Sequence, residues 1–140
     1  MPLTAFSPDQ LHQFTREFED LFYAGAPASM TSYYSENAKL MGEGMQPIEG
    51  HSAIMEFWHT AITRAVAAGA KRTIQLHESH FSGDLGYALC TVTVRIPPPS
   101  GTTGAGTSIA VWDATIWQHD PDGNWRIAVD ISTTLPPATS

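Results

Sequence analysis

The hydrophobic period changes once along this chain, at Gly69, and that break restricts the fold more than any other feature. Before it, apolar residues recur at helical spacing. Ser7-Pro8-Asp9-Gln10 supplies a capping box with proline at the first helical position, where its missing N–H costs nothing. Leu11, Phe14, Phe18, Leu21 and Phe22 follow on one face, and Gly25 marks the stop. Pro27 opens a short second helix carrying Met30, Tyr33 and Tyr34. A third helix follows Gly50, with Ile54, Phe57, Trp58, Ala61, Ile62, Ala65 and Val66 along one side. Between the second and third helices, residues 38–41 read as a strand, followed by a Gly42–Gly44 turn and Pro47-Ile48-Glu49. After Gly69 the period drops to two. Residues 71–81, 86–96, 107–118 and 125–132 alternate as strands, separated by Ser82-Gly83-Asp84, a Pro- and Gly-rich loop over 97–106, and Asp120-Pro121-Asp122-Gly123. The pattern predicts one α+β domain over residues 1–140, with 1–6 and 136–140 frayed.

Charge removes several function classes. Seven Lys and Arg face fourteen Asp and Glu, a net charge of −7, whereas nucleic acid or anionic membrane as a main partner demands a basic surface. Charged residues make up 15%, against about 25% in typical domains. A second subunit is the simplest cover for the surface this leaves apolar. The lone Cys90 excludes an internal disulfide and any Cys-rich zinc site, and its apolar strand face suggests an inert thiol. His77 and His80, three apart on a strand, point to opposite faces, and His51 and His59 are too far apart on a helix, so no metal is expected. No phosphate loop or dinucleotide fingerprint is present, and no cofactor is expected. No apolar run approaches the roughly 20 residues of a membrane span, and no secretory signal is visible, so the expected location is cytoplasmic.

Two acids stand out against apolar strands. Asp113 is the only charge between Thr107 and Gln118, and Asp130 is the only acid between Trp125 and Ser132. A four-residue loop at 120–123 sets His119 opposite Asn124 and Asp113 opposite Asp130. A slip of two residues leaves the acids diagonal, still within about 8 Å. Two carboxyls facing each other in a partly apolar cavity do not both ionise freely, so one becomes a donor able to steady an enolate. The other reading is a structural one, in which Arg126, two residues from Asp130 on the same face, neutralises the pair, or the face is wet and both acids are hydrated.

Three local motifs carry a family resemblance: Tyr34-Ser35-Glu36-Asn37-Ala38 entering the first strand, Pro47-Ile48-Glu49-Gly50-His51-Ser52-Ala53-Ile54 opening the third helix, and Asp122-Gly123-Asn124-Trp125-Arg126-Ile127 through Asp130. In order and spacing the chain resembles the SnoaL-like, ketosteroid isomerase-like group of the nuclear transport factor 2-like superfamily. The resemblance implies a cystatin-like cone, in which a curved antiparallel sheet wraps against three N-terminal helices around a pocket, and it implies dimers. By strand position Asp113 matches the acid that, in ketosteroid isomerases, donates to the substrate oxygen. The helix position of their tyrosine donor is Phe18 here, and the position of their base falls at Gly42 with Glu43 beside it, which argues against steroid isomerisation.

The expected pocket is mainly apolar, lined by Phe18, Phe22, Leu40, Trp58, Cys90, Val92, Ile109, Val111, Ala128 and Ser132. The expected function is binding of a small apolar or weakly polar organic ligand. The alternative is a cofactor-independent isomerase, cyclase or dehydratase, with Asp113 as acid and Asp130 or Glu43 as base. The opposite sheet face is expected to be the homodimer surface, built from Trp112, Ile116, Trp125, Ile127, Val129 and Ile131.

Overall fold

The computed structural model describes residues 2–99, 101 and 103–136. Helix α1 (Pro8–Ala24) is followed by α2 (Pro27–Thr31), strands β1 (Tyr34–Met41) and β2 (Ile48–Glu49), and helix α3 (His51–Ala68). Four long strands follow among the described residues: β3 (Lys71–Ser82), β4 (Leu85–Ile96), β5 (Thr107–His119) and β6 (Trp125–Thr134). The Ser7 hydroxyl accepts from the Gln10 amide at 3.2 Å, as the capping box requires. The reciprocal half differs, because the Gln10 side chain accepts from the Thr4 and Ala5 amides. Tyr34 is not part of α2. That helix stops at Thr31, and Tyr34 opens β1 four residues before the expected strand start.

The six strands form one sheet in the order β2-β1-β6-β5-β4-β3. All pairings are antiparallel except β1 with β6, which run parallel because α3 and the meander separate them in sequence. The concave face carries the core. Leu11, Phe14, Phe18 and Phe22 of α1 and Ile54, Trp58 and Ile62 of α3 pack over Ala88, Trp117 and Ile127. Aromatic edges supply much of this packing, with Phe14 to Trp117 at 5.0 Å and 88° and Phe18 to Trp58 at 5.2 Å and 83°.

The free edge of β3 is covered by α1. The Tyr23 hydroxyl accepts from the Arg72 amide at 2.7 Å and donates to its carbonyl at 2.8 Å, and the Glu19 carboxylate accepts from the Ile74 amide. Edge amides that could recruit another strand are thereby occupied, and Arg72 is fixed along the strand.

Two expectations about chain ends and faces are corrected. Residues 137–140 lie outside the described residues, but the 2–6 segment is docked. Leu3 bridges Trp125, and Phe6 is buried against Gly86, where a side chain would meet the Phe6 ring at 2.8 Å. Trp125 and Ile127, expected on the outer sheet face, are buried in the core at 6% and 1% exposure. The cause is a longer turn. His119 pairs with Trp125, not Asn124, so the loop has one residue more than expected and the start of β6 presents its other face inward. Among the described residues, no helix is long and apolar enough to cross a membrane.

Candidate functional site

Farther along the β5–β6 pair the face reverts. Ile116 pairs with Val129 but Trp117 with Ile127, leaving Ala128 as the extra residue of a β-bulge. Asp113 therefore lies opposite Ser132, and Asp130 lies opposite Thr115. The acids are diagonal neighbours on the concave face, two residues from direct opposition, and their carboxyl groups lie within hydrogen-bonding reach of each other. Burial first, and then the charge of Asp130, push the Asp113 carboxyl well above the ordinary carboxylate range. Asp130 is buried and accepts a 2.7 Å hydrogen bond from the Tyr34 hydroxyl, which burial and the two acids hold well above its own usual range. Arg126 does not neutralise the pair, because it bridges Asp120 at 2.9 Å and Asp122 at 2.7 Å at the turn.

A cavity of about 420 Å³ opens between α3 and the sheet with these acids in its wall. Of the residues proposed for a ligand pocket, Phe22, Leu40, Trp58, Val92, Val111 and Ser132 lie in its wall, and Phe57, Ala61, Ala65, Val94 and Ile96 add to its apolar lining. An inner cavity of about 40 Å³ shares Trp58, Arg72, Val92, Asp113 and Asp130 with the outer one, so these side chains form the partition. Phe18 and Cys90 line only the inner cavity. Burial, with help from the neighbouring acids, pushes the Cys90 thiol up to about 12, consistent with an inert sulfur.

Three expected site residues lie elsewhere. Glu43 is exposed, held by the Thr133 hydroxyl and by the Thr134 amide at 2.8 Å, because β6 runs past Ser132 and captures it. Ile109 lies near the open end of β5 and is 41% exposed. Ala128, displaced by the bulge, lines a separate polar cleft with His51 and Asp122.

Sequence reading missed Arg72. Its guanidinium lies 5.2 Å from the Phe22 ring centre, 5.4 Å from Trp58 and 5.9 Å from Phe18. The stem is partly exposed, yet Nη1 is buried and without a hydrogen-bond partner. The signal was the same one that marked Asp113, a single charge among Ile74 and Leu76 on an alternating strand face. Trp58 has a similar loose end. Its indole N–H lies beside the Tyr34 hydroxyl but falls short of hydrogen-bond geometry.

The SnoaL-like domain family model matches residues 15–128. No curated protein matches the sequence. Solved structures are similar in fold at low identity. A nuclear transport factor 2-like protein with a cystatin-like fold from Novosphingobium aromaticivorans has a TM-score of 0.78 at 15% identity, over 93% of this chain and 82% of that one. A ketosteroid isomerase-like protein from Erwinia carotovora atroseptica has 0.66 at 15%, over 86% and 89%. A proposed dehydratase of the nuclear transport factor 2-like family from Streptomyces avermitilis has 0.70 at 13%, over 92% and 97%.

Proposed function

Because the chain belongs to the SnoaL-like domain family, we propose that it is a small-molecule pocket protein whose ligand has an apolar body and one hydrogen-bonding end. The carrying observation is the outer cavity, a largely apolar space with Asp113, Asp130 and Arg72 gathered in its wall. Its volume falls within the usual range of small-ligand sites, about 300–1,000 Å³. Apolar walls supply the binding free energy and the few polar groups fix orientation. The neutral dye N-phenyl-1-naphthylamine should therefore brighten on binding the native protein. Ala61→Phe, which fills the outer cavity, should abolish that signal while leaving the thermal midpoint nearly unchanged. A native protein that leaves the dye dark would reject the pocket.

The acid pair favours a second reading, cofactor-independent acid–base chemistry on an enolisable substrate. Asp113 would hold the proton and Asp130, steadied by Tyr34, would take one up. Glu43 is too well held on the surface to be the preferred base.

The convex face supports a homodimer. Trp112, Ile116 and Ile131 are exposed there, Val129 is half-buried, and Tyr87 and Leu89 of β4 extend the patch in place of Trp125 and Ile127. A two-fold copy covers such a patch with one self-complementary surface. Sedimentation of the native protein should give a dimer, and an Ile116→Asp, Ile131→Asp variant should be a folded monomer. A native monomer at micromolar concentration would sink the idea.

A further inference from the structure

The partition between the two cavities contains a cation with no anion on it. Among the described residues Arg72 makes no salt bridge, its Nη1 is buried without a partner, and three aromatic rings lie within 6 Å of its guanidinium, while Asp113 and Asp130 act on it only as nearby charges. Aromatic faces soften the cost of burying a guanidinium but leave its hydrogen-bonding edge unfilled. The fold holds it there deliberately in one place, since the Arg72 backbone is clamped on both its amide and its carbonyl by Tyr23.

Charge around the cavity points the same way. The chain carries −7 overall, yet Arg64 and Arg72 both line this cavity. Burial, and then the charge of Asp130, push the Asp113 carboxyl well above the ordinary carboxylate range, and the nearby Arg72 opposes them. Two of the chain's seven cations and two of its fourteen acids, Asp113 and Asp130, thus line one cavity, a balance well short of the protein's overall negative charge. Glu19, the other acid acting on Arg72, is occupied by the Ile74 amide on the far side of the strand edge. Arg64 is exposed and Arg72 half-buried, so positive charge runs from the surface into the cavity wall.

We propose that the ligand is an amphiphilic monocarboxylate, its carboxylate held by the Arg72 guanidinium while its apolar body lies against Trp58, Val92 and Val111. The assignment rests on the pocket reading above and narrows it from a weakly polar ligand to an acid. Arg72 acts here as a binding residue.

Competition against N-phenyl-1-naphthylamine tests it with octanoate, octanamide and 2-octanone, which share the chain and differ in the head. The native protein should prefer octanoate over both neutral analogues by at least about tenfold, the equivalent of about 1.4 kcal/mol. Arg72→Met should erase the preference yet still bind the neutral dye. If that variant does not fold, Arg72→Lys, which keeps the charge and loses the planar fork, should reduce the preference several-fold. Equal affinities for octanoate and octanamide in a native protein that binds the dye would overturn the carboxylate assignment and leave the pocket standing. A preference unchanged in whichever variant folds would overturn the role of Arg72. Failure of the native protein to bind the dye at all would remove the pocket reading and this assignment together.

Discussion

Trp117→Ala should cost about 3–5 kcal/mol of stability, the usual toll of deleting a large buried aromatic, and leave the domain marginal or unfolded at room temperature. Trp117 is fully buried. Its ring meets Phe14 edge-on at 5.0 Å and Phe6 at 6.1 Å, so it joins α1 and the N-terminal segment to the sheet. Its indole N–H donates to the Thr115 hydroxyl at 2.8 Å, and Thr115 is the cross-strand neighbour of Asp130. Truncation therefore opens a cavity and strips a buried hydroxyl of its donor beside the site. Urea unfolding by circular dichroism measures the loss. A midpoint within 0.3 M urea of the native value, about 0.3–0.9 kcal/mol at ordinary slopes, would contradict this account of the core.

The second large effect is on pH dependence. The folded-state pKa of Asp113 is raised, first by burial and then by Asp130, so the native state holds on to a proton that the unfolded chain loses near pH 3.8. Native Asp113 thus binds more protons than unfolded Asp113 over the window above that value. Its contribution to stability is full below about pH 4 and is lost as pH rises, at up to about 1.4 kcal/mol per unit until the native group ionises. Glu17 and Asp122, whose pKa values are lowered, act in the opposite sense, but only below their unfolded values, at more acid pH. Asp113→Asn, an uncharged isostere still able to donate to Asp130, should flatten the fall between pH 5 and 8 and be more stable than the native protein at pH 7. Parallel native and variant profiles across that range would show that Asp113 is ionised in the folded state.

Element positions were legible because each was written twice, by period and by punctuation. The Ser7 cap, Gly25 and Gly69 bound the helices, and alternation from Lys71 onward wrote the strands. The facing of Asp113 toward the cavity came from the same alternation. The failures share one cause, in that they depend on contacts between segments distant in sequence. Nothing local distinguishes Ala128 as the bulged residue, since it is neither Gly nor Pro, yet it decides where Asp130 and Ser132 fall. The inward turn of Trp125 and Ile127 follows from one added loop residue, a detail that Asp120-Pro121-Asp122-Gly123 permits but does not dictate. Glu43 looked like a base because it stands next to Gly42, where the resemblance to ketosteroid isomerases puts their base, and only the passage of β6 next to it shows that Thr133 and Thr134 hold it. Arg72 went unread although its strand marked it, because α1 and its aromatic rings supply the surroundings that make it unusual.

The bulge at Ala128 also divides the last two strands into sections that carry different duties. From the turn to Trp117 and Ile127, one phase of the alternation sends large aromatic and aliphatic groups into the core. Beyond Ala128, the other phase sends Asp130 and Ser132 into the cavity. A change confined to the loop over 120–124 is felt first by the packing section, while the cavity section takes its phase from pairing with β5 and β1. Core packing can thus change at one end of this ribbon, and the lining of the cavity at the other, with a single alanine as the joint between them.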